Sequence, residues 1–268
     1  AVTQALKAMA LLRTGKRAEA LALAVEAKRG ITAPLDDSLL HALSIFYRAA
    51  RQPRDVCDVY EAALRVNPGN ETLGEQLFFA FVRCFDYAKQ QQAAMKLQRA
   101  VESGTSVQRT YTMWTLTSIG LQARAATDAA LAGKLMQLAT MMLDKAGGPQ
   151  TLVELRLAVA LADVDLERAR AGTSRRAGPA AGGSVPKDVA RSHAQRVLGL
   201  LRACHEVVAS SPAEFADVEA ACETRLGNVE AAAALRASQL TREGAEEDWV
   251  GVRRWLDCTL AVPQGSVS

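Results

Sequence analysis

The chain has 268 residues, of which 49% are hydrophobic, 23% charged and 5% aromatic, with a formal net charge of +3. Those fractions belong to a chain that buries a core, which excludes disorder along its whole length. They also exclude a helical membrane span, because the most apolar run, Leu152 to Leu166, is broken by Glu154, Arg156, Asp163 and Asp165.

Ala and Leu supply most of the apolar count, which favours closely packed helices over a β-sandwich. The chain opens on Ala1, not Met, and Ala1 to Leu12 has amphipathic helical spacing with Lys7 inside it. It lacks the compact apolar segment of a signal peptide and reads as an internal piece of a longer polypeptide. The next segment carries the stripe Ala20, Leu23, Ala24 and Ala27. The third carries Leu39, Leu40, Leu43, Phe46 and Tyr47, and the fourth Val56, Val59, Tyr60, Ala63 and Leu64. Spacings of three and four predict helices, and the eight prolines fall between segments or at first turns, where a helix tolerates them. No strand alternation and no Asn-Gly or Asp-Gly hairpin signal is present.

The segments pair into a repeat of about 34 residues with tetratricopeptide (TPR) character. Gly15 to Ala20 reads as a mid-repeat turn and second helix. The next unit carries Leu43, Ser44, Tyr47, Val56, Tyr60, Ala63 and Pro68. A third, 34 residues on, carries Leu77, Phe78, Phe81, Ala94 and Leu97. A helix with Trp114 and another from about Asp128 to Lys145 form a divergent fourth pair. The expected fold is all-α: a TPR-like helical-hairpin solenoid, with repeats over 1–169.

Residues 170–187 have no apolar period and are rich in Gly, Ala, Pro and Arg, so they read as a disordered insertion. Its Arg170, Arg175, Arg176 and Lys187 carry four positive charges without an acid, so the rest of the chain is close to neutral. Helical hairpins resume over 188–262: one helix from Asp188 to Ala209, one from Pro212 to about Arg225, one after Asn228, and one from about Ala245 with Trp249 and Trp255. Residues 263–268 read as a tail.

No catalytic set emerges. His41, His193 and His205 are isolated and lack metal-ligand spacing. Cys57, Cys84, Cys204, Cys222 and Cys258 are odd in number, widely spread and form no Cys-x-x-Cys, so they read as reduced thiols packed in helices. The acidic pairs Asp36-Asp37 and Glu246-Glu247 precede helices and are explained by capping. Arg175 to Ala180 fits an Arg-x-x-Gly-x-Ala acetyl-coenzyme A loop, yet no strand precedes it and Pro179 removes a backbone donor. No catalytic, cofactor-binding or metal-binding residue is expected in this chain.

One surface feature stands out. Arg13, Lys16 and Arg17 flank the first turn and Arg48, Arg51 and Arg54 the second, a candidate patch for a partner or the ribosome. Aromatics do not interleave with these bases, so no direct sequence-specific nucleic-acid binding is expected. Ten of the thirteen aromatic residues lie between Phe46 and Trp114, and Leu77-Phe78-Phe79-Ala80-Phe81 is too apolar for one buried stripe. Part of that run must face the next repeat, a groove or a partner.

Several strings together resemble the auxiliary subunits of NatB-type N-terminal acetyltransferases. They are Leu12-Arg13-Thr14-Gly15-Lys16, Asp36-Asp37-Ser38-Leu39, Ala42 to Arg48, Val59 to Ala63, Leu77 to Arg83 and Tyr87 to Met95, with Trp114 in the following helix. The resemblance is dense over 5–123 and continues thinly to about 260, where Glu247-Asp248-Trp249 resembles a later signature; the insertion has no counterpart. It implies a non-catalytic cytoplasmic scaffold that wraps a separate GNAT-type catalytic subunit in a heterodimer and helps dock it at the ribosome. It further implies that acetyl-coenzyme A is held by that partner, for acetylation of chains beginning Met-Asp, Met-Glu, Met-Asn or Met-Gln, with no membrane contact. Two alternatives stand beside it: a generic TPR adaptor, and a transferase in its own right built on the Arg175 string. A chaperone-type carboxylate clamp is disfavoured, because Ala5, Met9, Ala42, Thr72 and Gln76 offer no charge.

Overall fold

The computed structural model describes residues 1–177 and 185–240. These residues are all-α, with no strand among them, and no described helix is long and apolar enough to cross a membrane. The chain divides into two compact units, Ala1–Ser118 and a second beginning at Ile119.

The first unit is a stack of antiparallel pairs: α1 (Val2–Arg13) with α2 (Arg17–Lys28), α3 (Asp37–Ala49) with α4 (Pro53–Val66), and α5 (Glu71–Cys84) with α6 (Tyr87–Ala100). Helix α7 (Ser106–Ala125) follows, and the boundary between the units falls inside it. The starts are set by local chemistry. The Asp36 carboxylate accepts from the Ser38 and Leu39 amides, Asn70 from Leu73, and Asp86 from Lys89. Each satisfies first-turn donors that have no partner inside the helix. Asp36 is therefore a cap, as its place before a helix predicts. Proline opens α4, where its missing N–H costs nothing.

The core changes character along the unit. Ala5, Ala8, Ala20, Ala24 and Ala27 let α1 and α2 pack closely, whereas Leu43, Phe46, Tyr47, Val59 and Tyr60 fill a wider gap. Every residue of the predicted third stripe is buried; Leu23 and Leu64 are half-buried. The buried hydroxyls of Thr112, Thr115 and Ser118 on α7 donate to carbonyls one turn back, at 2.8, 2.9 and 2.7 Å, so none is orphaned.

Two tyrosines test the same rule in opposite directions. The single proton of the Tyr111 hydroxyl is shared between two acceptors, Glu71 at 2.5 Å and Glu75 at 2.8 Å, and burial with these carboxylates pushes its ionisation upward. The Tyr47 hydroxyl is buried without a hydrogen-bond partner, and burial with Asp55 and Asp58 nearby pushes its pKa up to about 12. Tyr47→Phe is expected to stabilise the unit by about 1 kcal/mol, and Tyr111→Phe to destabilise it by about 1–2 kcal/mol. Urea titrations at neutral pH check both signs. Above pH 10 the unfolded chain loses the Tyr47 proton first, so stability falls from there to about pH 12; Tyr47→Phe flattens that decline.

The second unit contains α8 (Ala129–Lys145), α9 (Leu152–Ala177), α10 (Lys187–Ala203), α11 (His205–Ser210), α12 (Pro212–Leu226) and α13 (Val229–Leu240). Leu155, Val159, Ala194, Val197, Leu198, Leu201 and Phe215 form its core. Within this unit α7 approaches α9 at Gly120, where a Cβ would lie 2.7 Å from Leu161 Cδ2. Arg168 of α9 donates to the carbonyls of Ala123 at 2.6 Å and Ala126 at 2.8 Å, which satisfies the end of α7. These contacts tie the end of α7 to α9 within the second unit.

Two expectations change. The insertion expected over 170–187 is narrower, because α9 continues to Ala177 and α10 starts at Lys187. Its first eight residues contain Gly172 but no proline, and the first strong breaker is Pro179, which also disfavours helix at the residue before it. Residues 178–184 lie outside the described residues. The single helix expected from Asp188 to Ala209 is broken at Cys204, whose thiol donates to the Pro149 carbonyl at 3.5 Å. The expected last helix with Trp249 and Trp255, the Glu246-Glu247 pair, Cys258 and the 263–268 tail also lie outside the described residues.

Candidate functional site

The turn inside each of the first three pairs sits in the left-handed region: Gly15 at φ 80°, Arg51 at φ 55° and Phe85 at φ 56°. A glycine adopts this freely, whereas a side chain there costs about 1–2 kcal/mol. Two of the three turns thus carry a side chain where backbone energetics favour none. Arg51 and Phe85 are both exposed, Phe85 by 57%.

The basic residues group around these turns, and all six are exposed. Arg13 closes α1, Lys16 precedes α2 and Arg17 opens it; Arg48 lies in the last turn of α3, Arg51 in the turn, and Arg54 in the first turn of α4. The structure joins the two clusters directly. Arg17 Nη2 donates to the Ala50 carbonyl at 2.6 Å, tying the first turn to the carboxyl end of α3. That bond satisfies an orphan carbonyl and leaves the charge of Arg17 in place. Lys16 is partly neutralised by Glu19 at 3.7 Å, an exposed pair worth little. Arg13, Arg48, Arg51 and Arg54 form no ion pair among the described residues. Sequence reading missed one extension at the third turn, where Arg83 donates to Phe79 O at 3.3 Å. The 34-residue repeat gave no signal for it, because it maps Arg83 onto the uncharged Ala49. Lys89, beyond the same turn, pairs with Glu61 at 3.6 Å and lies 5.4 Å from the Phe81 ring centroid.

The aromatic run resolves between two surfaces. Leu77, Phe78, Ala80 and Phe81 are buried, and Phe79 is 40% exposed. Trp114 stacks on Phe78 with ring centroids 4.4 Å apart and meets Phe79 edge-on at 5.1 Å. The next repeat therefore covers most of the run.

The histidines behave as packed or surface groups. His41 and His205 are exposed. His193 is buried; its Nε2 bonds Asp163 at 2.7 Å and its Nδ1 faces the Arg225 guanidinium at 3.0 Å. Since guanidinium can only donate, Nδ1 accepts and the ring is held as the Nε2–H tautomer. A cleft of about 330 Å³ lies beside it, lined by Asp188, Ser192, His193 and Arg196. Both ring nitrogens are already engaged, so the ring acts as a wall of that cleft. Among the described residues no three His, Cys, Asp or Glu groups converge as metal ligands. Arg175 and Arg176 occupy the carboxyl-terminal turn of α9, the negative end of its dipole. Phosphate is favoured at the opposite end, so their placement gives this stretch of the string no helix N-terminus for an anion.

Stacked antiparallel pairs with charged turns along one edge define a helical-repeat scaffold, a class that works by presenting surface. Residues 1–159 match the family described as the Psidin N-terminal TPR repeats region, and the chain belongs to that family. It is 38% identical over 141 residues to the human "N-alpha-acetyltransferase 25, NatB auxiliary subunit", covering 52% of this chain and 14% of that protein. It is 37% identical over 141 residues to the protein of the same name from Rattus norvegicus, with the same coverage. It is 35% identical over 145 residues to the "Phagocyte signaling-impaired protein" of Aedes aegypti, covering 53% of this chain and 15% of that one. The chain thus spans about one seventh of the length of these relatives.

Proposed function

We propose that this chain supplies the N-terminal repeats of a non-catalytic auxiliary subunit of a NatB-type N-terminal acetyltransferase. In this reading it is a cytoplasmic scaffold for a GNAT-type catalytic subunit, which holds acetyl-coenzyme A and acetylates chains beginning Met-Asp, Met-Glu, Met-Asn or Met-Gln. The observations that support the reading are that the family match over residues 1–159 takes in all the stacked pairs of the first unit, and that relatives named NatB auxiliary subunits are 38% identical over 141 residues. Helix pairs that bury their apolar faces on one another leave turns and outer faces for a partner, which suits a scaffold. Purification of the full-length protein from its own cells is expected to bring down a small acetyltransferase in stoichiometric amount. Isolation without one would favour the generic TPR adaptor.

The basic edge of the first two turns is the surface we assign to ribosome docking. Reversing Arg48, Arg51 and Arg54 to Glu in the full-length protein is expected to weaken co-sedimentation with ribosomes. The slope of log affinity against log salt should fall by up to about three, one for each lost phosphate contact. Unchanged sedimentation and slope would assign docking elsewhere.

A further inference from the structure

Two cysteines 27 positions apart in sequence, on different repeats, meet among the described residues. Cys57 is on α4 and Cys84 is the last residue of α5, and their sulfurs approach to 3.5 Å. Cys57 is 5% exposed, and its thiol also faces the Pro53 carbonyl at 3.7 Å; Cys84 is partly buried and retains some solvent exposure beside the left-handed turn at Phe85. We propose that Cys57 and Cys84 form a dithiol site that hydroperoxides oxidise to a reversible intramolecular disulfide, with Cys84 as the attacking thiol and Cys57 as the resolving one.

The geometry divides the roles. Cys84 can meet a small oxidant from solvent, whereas Cys57 is screened by the α4–α5 packing. Burial and the neighbouring thiol push the Cys57 pKa up to about 12, so it stays protonated when the first step occurs. In that step the Cys84 thiolate attacks a peroxide oxygen and the O–O bond breaks. The alcohol or water half leaves with a proton, and Cys84 becomes a sulfenic acid. In the second step the Cys57 sulfur attacks the Cys84 sulfur. The S–S bond forms, the S–O bond breaks, and hydroxide leaves with the Cys57 proton as water. Two thiols and one hydroperoxide give a disulfide, an alcohol or water, and water; the two electrons pass from sulfur to the peroxide oxygens. The sulfurs must close by about 1.5 Å to reach bonding distance. Cys84 is placed to make that movement because it ends its helix. The product would staple α4 to the end of α5 and hold the turn that presents Arg83 and Phe85.

The test is a hydrogen peroxide titration of the full chain, followed by alkylation under denaturing conditions and peptide mapping with and without reductant. The expected result is a Cys57–Cys84 linked peptide that appears before Cys204 or Cys222 is modified and disappears on reduction. In Cys57→Ser, a dimedone probe should label Cys84 at least tenfold more than in the wild-type chain, because the resolving thiol is gone. In Cys84→Ser, Cys57 should stay alkylatable throughout. Both thiols remaining free in the wild-type chain, or Cys84 passing to sulfinic acid while Cys57 stays free, would overturn the proposal. The wild-type map decides the matter even if a serine variant fails to fold.

Discussion

Phe78→Ala is expected to destabilise the first unit by about 3–5 kcal/mol, the range for deleting a buried aromatic ring. Phe78 is 4% exposed and lies flat against Trp114, with the rings 13° from parallel. Truncation removes its own buried area and leaves a void beside the indole that rigid helices fill only in part. Trp114 docks α7 onto α5 together with Tyr111 within the first unit, so the loss should be cooperative across two repeats. A double-mutant cycle with Trp114→Ala should give a coupling of about 0.5–1.5 kcal/mol beyond area alone. Phe79→Ala is the control: its ring is 40% exposed and should cost clearly less. Urea denaturation followed by far-UV circular dichroism reads all three. A Phe78→Ala loss below about 1 kcal/mol, with no coupling, would refute this packing account.

Arg156→Ala is expected to cost about 3–5 kcal/mol in the second unit, because it strands a buried carboxylate. The guanidinium of Arg156 on α9 grips Glu214 on α12 with two bonds, Nε to Oε1 and Nη2 to Oε2, the latter at 2.7 Å. The Glu214 side chain is 7% exposed and receives a further bond from Ser211 Oγ at 3.1 Å. A charge held this far from water is tolerable only while paired. The informative variant is the double replacement Arg156→Met with Glu214→Leu, which removes both charges and keeps the volume. It should recover most of the loss, since burying an ion pair gains little over burying two apolar groups. Thermal unfolding of the two variants beside the wild-type chain distinguishes the cases. Equal losses in the single and double variants would mean that packing, not charge pairing, holds α9 to α12.

Much of the first unit was legible in one dimension. The stripe Leu39, Leu40, Leu43, Phe46 and Tyr47 is buried in full, and the cap at Asp36 and the proline start at Pro53 lie where their chemistry predicts. These features are local: three- and four-residue spacing and a short polar side chain act within one or two turns. The basic residues were also legible as two clusters. That Arg17 ties one cluster to the other through Ala50 O was not, because the bond spans 33 positions. The surplus of the Leu77–Phe81 run over one stripe was visible, and its resolution by Trp114 needed the neighbouring repeat in place.

In the second unit the local signals were weaker and the errors follow from that. Averaging composition over 170–187 hid a helix that runs to Ala177, because propensity responds to the position of the first proline and not to the mean. No Gly or Pro marks the break at Cys204; a contact with the Pro149 carbonyl accompanies it. His193 looked isolated because Asp163 and Arg225 lie 30 and 32 positions away. The sequence by itself therefore determined the all-α class, the repeat length, the cap at Asp36 and the family, since each rests on interactions within a turn or on an ordered string. Only the tertiary structure decided which charges share an edge, which thiols meet and where one packing unit ends. Those depend on distances between helices, which no period along the chain encodes.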